Sequence, residues 1–249
     1  MNILICGIGG RMGREVAKIA LTGYRGAVPV AGFDVVDAAV EEIPVYTDWN
    51  KIKEPIDVII DFSHHAGTKS LLKYATAKSI PTVIATTGHT EEETALIKKC
   101  ANVIPIFHDA NMSLGVALLI ELAKITAKTF PDADIEIIEK HHNRKLDAPS
   151  GTALAIANAI KTVREKAFFV FGRQGNAKRM ENEIGVHAVR MGNIIGEHEV
   201  IVGTDTQTIT LKHEAHSRSL FAEGAVAAAE FLAKQSAGFY DMNSMITAE

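Results

Sequence analysis

From its amino end the chain alternates short apolar runs with amphipathic stretches. The runs at 3–6, 28–33, 58–62, 82–85 and 103–107 have the length and Val/Ile content of strands. Between them, 13–21, 65–78 and 91–100 repeat apolar positions at three- and four-residue spacing, the period of a helix with one buried face. Near-continuous apolar strands separated by helices predict a parallel sheet covered on both faces. After residue 111 the pattern changes. A long helix is predicted over 114–129, an alternating strand over 134–139 and a second helix over 151–166. Three more alternating strands follow at 184–190, 197–203 and 206–213, and helix returns over 221–235, where it packs back on the first part. Alternating strands keep one face covered and one open, so this half predicts an α+β arrangement on a mixed or antiparallel sheet. The polar stretch 171–183 reads as a mobile surface loop.

This periodicity places the chemistry. The first strand runs into Gly7-Ile8-Gly9-Gly10-Arg11-Met12-Gly13 and then into a helix. Strand, glycine loop and helix in that order suit a dinucleotide. The first glycine turns the chain sharply, the middle ones let backbone approach a pyrophosphate, and the last lets helix and strand pack closely. Arg11 stands in that loop as a phosphate contact. Asp34 closes the next apolar run, where an acid accepts hydrogen bonds from ribose hydroxyls. In such sheets ligands bind beyond the carboxyl ends of the strands, so residues 7–10, Asp34, Ser63, 86–88 and 111–113 are expected to line one cleft.

The segment 139–152 carries the second signal. It holds His141, His142 and Lys145, and its Ser150-Gly151-Thr152 turn opens directly into helix. A helix N-terminus presents unpaired N–H groups and the positive end of its dipole, which suits carboxylates or phosphates. Imidazoles exchange protons near neutral pH. An anion clamp beside a proton donor implies an acidic substrate that has to be protonated. Adjacent histidines on extended backbone point to opposite sides, and no third ligand has metal-site spacing, so no metal is expected. The other histidines have no local partners in the sequence, and Asp147 reads as a turn or cap residue.

Composition narrows the reading. With 249 residues the chain has room for two domains. A net charge of −4 and a pI near 6.2 give no electrostatic attraction to nucleic acid or to anionic membranes. Two unpaired cysteines, no export signal and no apolar run of membrane-spanning length point to the cytoplasm.

The motifs Gly7–Gly13, Ile60-Asp61-Phe62-Ser63, Thr86-Thr87-Gly88, Asn111-Met112-Ser113 and above all the segment 139–152 resemble those of the 4-hydroxy-tetrahydrodipicolinate (dihydrodipicolinate) reductases of lysine and diaminopimelate biosynthesis. Arg190-Met191-Gly192, Ile195-Gly196-Glu197-His198 and Ser217-Arg218 match as well, so the resemblance spans nearly the whole chain. It implies an α/β fold: a split Rossmann-type parallel-sheet domain, 1–112 with 220–249, around an α+β substrate and oligomerisation domain, 113–219, assembled as a homotetramer. It implies a cyclic dicarboxylate substrate and an NADH or NADPH cofactor held by residues 7–13, Asp34, Phe62, Thr86, Thr87, Gly88, Asn111 and Ser113. His141 becomes the proton donor. His142 and Lys145 bind and polarise the dicarboxylate, Lys145 sharing in catalysis, while Ser150, Gly151, Thr152 and Thr87 hold a carboxylate. Two positions depart from the pattern. Val35-Val36 follows Asp34 where some members carry a cation for a 2′-phosphate, which favours NADH. Ala85 replaces a glycine common before Thr-Thr-Gly, and its methyl would press on the nicotinamide. An aspartate-type amino-acid dehydrogenase and a dinucleotide sensor without catalysis are the rival readings. The 139–152 segment argues against the first, and the intact His141, His142, Lys145 and 150–152 against the second.

Overall fold

The structure is a computed structural model, and it describes residues 1–247. The last two residues of the expected 220–249 piece lie outside the described residues. The first part runs β1 (Asn2–Cys6), α1 (Arg11–Leu21), β2 (Val28–Phe33), β3 (Val45–Tyr46), β4 (Val58–Asp61), α2 (Thr68–Lys78), β5 (Thr82–Ile84), α3 (Glu91–Cys100) and β6 (Pro105–His108). Then come α4 (Leu114–Thr129), β7 (Asp134–His141), α5 (Gly151–Lys161), β8 (Phe168–Phe171), β9 (Glu183–Arg190), β10 (Gly196–Gly203) and β11 (Thr208–Ala215). The chain closes with α6 (Ser219–Leu232), β12 (Gly238–Tyr240) and α7 (Met242–Thr247). It divides into two compact units, Met1–Leu114 with Ser219–Glu249, and Gly115–Arg218.

The first unit holds a seven-stranded sheet in the order β12-β6-β5-β4-β1-β2-β3, every pairing parallel. This is the Rossmann-type arrangement with one strand added at the β6 edge. Its strands are apolar throughout because helices cover both faces: Leu4, Ile59, Ile84 and Ile106 are buried with Leu71, Leu72 and Ile97 of α2 and α3. Helix α6 packs on α1 and on β4, β5 and β6, and its small residues (Ala222, Gly224, Ala225) allow the close approach. At Gly224 a side chain would collide with the carbonyl of Met112. β4 and β5 stop one residue short of the expected ends. Past that point Asp61 Oδ1 takes the Ser63 N–H and hydroxyl at 3.1 and 2.5 Å, which turns the chain out of the sheet.

The second unit holds a mixed five-stranded sheet in the order β11-β10-β7-β9-β8. β7 pairs parallel to β9 and antiparallel to β10. The covered face of β7, Ile135 and Ile137, lies in one core with Leu119, Ala123 and Ala127 of α4 and Ile156 and Ile160 of α5. Helix α5 ends at Lys161 rather than near 166. Arg164 leaves the helix to donate to the carbonyls of Ala127, Phe130 and Ala133, the groups left open beyond α4. The 172–182 loop is anchored rather than free, because Arg179 pairs with Asp134 (2.7 Å) and Glu136 on β7. β3, β8, β12 and α7, which the sequence pattern does not predict, are too short to show a period. Among the described residues no helix is long and apolar enough to cross a membrane.

Gly13 is the tightest point of the glycine loop, since a Cβ there would overlap the Gly7 carbonyl and the Ile8 backbone. Gly13→Ala should therefore destabilise the protein by about 1–3 kcal/mol in denaturant unfolding. Gly151→Ala, with open space around the added methyl, should stay within about 1 kcal/mol of the parent.

Candidate active site

In the first unit a cavity of about 1080 Å³ opens at the carboxyl ends of β1, β2 and β4, lined by Gly7, Gly9, Gly10, Asp34, Phe62 and Ser63 among others. Gly7 has φ +72° and lies against the Phe62 carbonyl and Ser63, so it turns the chain where a side chain would not fit. Gly10 caps α1 without a side-chain hydrogen bond, and the first turn carries no acid. That leaves the dipole end suited to an anion. Asp34 is fixed in the wall: Oδ2 accepts from Gly9 N (2.9 Å) and Oδ1 from Val35 N (2.8 Å). These features fit a dinucleotide.

Other expected residues stand differently. Ile8 is fully buried in the core, so only its backbone belongs to the loop's surface. Arg11 is exposed at the first position of α1, with Met12 half-buried after it. It is Arg14 that lines the cavity and reaches back to the carbonyls of Gly9 (3.0 Å) and Ala39 (3.3 Å). The Thr86 hydroxyl donates to buried Asp61 at 2.8 Å, which ties β5 to β4. Burial pushes the Asp61 carboxyl up, against the pull of its bonds from Ser63 and Thr86. Thr87 and Gly88 are exposed beyond β5, and Asn111 and buried Ser113 lie beyond β6.

In the second unit the site grows out of β7. Its period of two carries the covered face from Ile135 and Ile137 on to Glu139 and His141, past the apolar core and up to the start of α5. Sheet register brings in the neighbours: Arg190 of β9 lies opposite His141, and His198 of β10 opposite Glu139. Glu139 is fully buried. Its Oε2 meets His141 Nδ1 at 2.6 Å and Arg190 Nη1 at 2.8 Å. Its Oε1 accepts from Arg190 Nη2 at 2.7 Å and from Ser150 N at 2.9 Å. Burial alone would raise its pKa, but the bonds from Arg190, His141 and Ser150 outweigh it and hold the carboxyl below its ordinary value.

Ser150 caps α5, its hydroxyl accepting from Ala153 N (3.2 Å) and facing His198 Nε2 (3.2 Å). The His141 and His198 rings meet edge to face, 5.2 Å between centroids. Gly151 is exposed and Thr152 half-buried in the first turn, which has no acid of its own. His142 is half-buried just beyond the end of β7. Its Nδ1 is buried without a partner, and burial followed by the charges of Arg144, Arg218, His141 and Lys145 lowers its pKa. Lys145 is paired with Asp147 at 2.8 Å, so that acid holds a cation as well as serving the turn. Helix end, Lys145 and His142 together favour an anion, and His141 can exchange a proton beside them. The sequence reading brings His141, Lys145 and 150–152 together but leaves out Glu139, Arg190 and His198. A carboxylate on the covered face of an alternating strand is the signal for Glu139. Arg190 and His198 come from pairings 49 and 59 residues away; both fall in motifs that carry the family resemblance, but spacing along the chain does not bring them to this site. Among the described residues no three His, Cys, Asp or Glu side chains form a metal-type group.

Burial, and then the charge of His141, lowers the His198 pKa to about 4. The unfolded chain takes up this proton near 6.5, the folded one near 4. The unfolded state thus binds more protons in that window, and stability falls as pH drops through it, by on the order of 3 kcal/mol. Glu139, with a depressed pKa, adds stability that is lost only below about 4.5. Unfolding titrations from pH 7 to 4.5 should show a shallower loss in His198→Asn than in the parent.

Both units match family models, residues 1–112 the one for "Dihydrodipicolinate reductase, N-terminus" and residues 115–246 the one for its C-terminus. A 4-hydroxy-tetrahydrodipicolinate reductase of Caldanaerobacter subterraneus subsp. tengcongensis is 48% identical over 248 residues, covering 99% of this chain and 98% of the relative. One from Clostridium tetani is 42% identical, covering 99% and 97%. Among solved structures, the dipicolinate-bound dihydrodipicolinate reductase of Paenisporosarcina sp. TG-14 is similar with a TM-score of 0.81 at 27% identity, covering 97% of each chain.

Proposed function

The chain belongs to the dihydrodipicolinate reductase family, and we propose that it reduces 4-hydroxy-tetrahydrodipicolinate to tetrahydrodipicolinate with loss of water, by hydride transfer from NAD(P)H, in lysine and diaminopimelate biosynthesis. The observation that carries this to the residues is the meeting of His141, Glu139 and the Ser150 cap at the start of α5. The first-turn backbone of Gly151 and Thr152, with Lys145, holds one substrate carboxylate, and Lys145 exchanges Asp147 for it. His142, neutral among cations, orients the dicarboxylate. His141 delivers the proton to the substrate. Thr87, exposed beyond β5, offers a free-standing hydroxyl at the carboxyl end of the first unit's sheet.

The glycine loop, Asp34, Phe62, the 86–88 turn, Asn111 and Ser113 hold the dinucleotide, which supplies the hydride when bound. Asp34 accepts from ribose hydroxyls and repels a 2′-phosphate. Val35 and Val36 are exposed beside it and bring no cation, which favours NADH. Arg14, rather than Arg11, lines the cavity and is the loop's cation for a phosphate. Ala85 is buried. A homotetramer built on the second unit's sheet is in keeping with β11, whose outer edge is unpaired among the described strands. A cytoplasmic location suits a biosynthetic enzyme.

The test is oxidation of NADH, and separately of NADPH, with substrate generated from pyruvate and aspartate semialdehyde. Turnover that requires both precursors and a higher kcat/KM with NADH are expected; equal or better use of NADPH would overturn the cofactor preference. His141→Gln should lower kcat by about 10²–10⁴ with little change in KM. Lys145→Ala should impair both.

A further inference from the structure

The donor reading of His141 leaves open what sets the ring's tautomer and its affinity for the proton, and this inference rests on that reading. We propose that Glu139 and Arg190 form a positioning pair that fixes His141 with its proton on Nδ1, so that the exchangeable proton is carried on Nε2. Glu139 sits two residues before His141 on the covered face of β7, and its Oε2 is 2.6 Å from Nδ1. A neutral ring with Nδ1 unprotonated would set a lone pair against a carboxylate, which is repulsive, so only the Nδ1–H form fits. Arg190, in register with His141, grips both carboxylate oxygens and keeps the carboxylate from turning. The Ser150 amide gives the carboxylate a further donor and locks the pair to the start of α5. A Cβ on Gly196 would come 3.1 Å from His141 Nε2, so this glycine leaves that side of the ring open.

Every titratable or charged group near the ring enters its proton affinity: Glu139 from β7, Arg190 from β9, His198 from β10, and His142 and Lys145 from the segment after β7. Of these, Glu139 is the anion in direct contact, and Arg190 moderates it. The two therefore act with opposite sign. Removing the Glu139 charge destabilises the imidazolium beside an unmatched Arg190. Removing the Arg190 charge leaves the carboxylate unmoderated and stabilises the imidazolium.

The experiment is the pH profile of kcat for the parent, Glu139→Gln and Arg190→Met, with thermal melting and circular dichroism to confirm folding. Activity of a proton donor is lost on the alkaline side, as the donor deprotonates. Glu139→Gln should move that limb to lower pH by roughly one unit and reduce kcat at pH 8 by roughly 10–100-fold. Arg190→Met should move the limb to higher pH. Limbs that stay in place, or that move in the same direction, overturn the proposal, because simple loss of structure would give either. ¹⁵N NMR of imidazole-labelled parent protein provides a readout that needs no variant. Neutral His141 protonated at Nδ1 is expected, and the Nε2-protonated tautomer would overturn the pair's role. Full activity of His141→Gln removes the donor role and this inference with it. An inactive His141→Gln together with an unmoved limb in Glu139→Gln removes this inference alone.

Discussion

The second unit is organised around one buried charge. A carboxylate taken fully out of water is costly unless it is matched by opposite charge and by hydrogen bonds. Glu139 receives two bonds from Arg190, one from the Ser150 amide and one with His141. Those partners come from β9, from the start of α5 and from β7 itself. Meeting the needs of this one anion therefore fixes the register of the parallel pair β7–β9, the place where α5 begins and the orientation of the histidine. Removing Arg190 would leave the buried carboxylate with only His141 and the Ser150 amide to match it, which is costly for a charge out of water.

The first unit solves a different problem with backbone instead of charge. The proposed dinucleotide site needs main chain close to a pyrophosphate, and Gly7, Gly10 and Gly13 have no side chain where Phe62, Ser63 and the Gly7 carbonyl lie. Asp61 ties the ends of β4 and β5 through Ser63 and Thr86, so the loops beyond those strands start from fixed points. Asp34, bonded to Gly9 and Val35, serves both as a wall of the cavity and as a brace for the loop. The parallel sheet and its covering helices hold these loops at one edge.

How much was legible in the sequence follows from how far each contact reaches along the chain. The glycine loop, the turn into α5 and the neighbouring histidines are local, so spacing alone marks a nucleotide loop and an anion clamp beside proton-exchanging groups, while the separate roles of His141 and His142 come from the family resemblance. The parallel core strands announce themselves as apolar runs, and β7 as an alternation that places Glu139 and His141 on one face. The Arg190 and His198 positions depend on which strands pair and in which register, and nothing within a few residues of either reports that. The same holds at smaller scale for Arg164, which cuts α5 short because carbonyls more than 30 residues earlier need donors. Arg11 and Arg14 show the limit of motif reading. Both fall in or just past the glycine segment, and only the pitch of α1 decides which one turns back toward the cavity.

The central claim is that the start of α5 and His141 are held by Glu139 as one preassembled site for a dicarboxylate. A crystal structure of the protein with the nicotinamide dinucleotide and dipicolinate tests it most directly. The account predicts one carboxylate at the first turn of α5 within reach of Lys145, His141 Nε2 turned toward the ring, and the contact between Glu139 and His141 Nδ1 kept near 2.6 Å. A dicarboxylate bound away from α5, or a His141 ring released from Glu139 when the ligand binds, would contradict it.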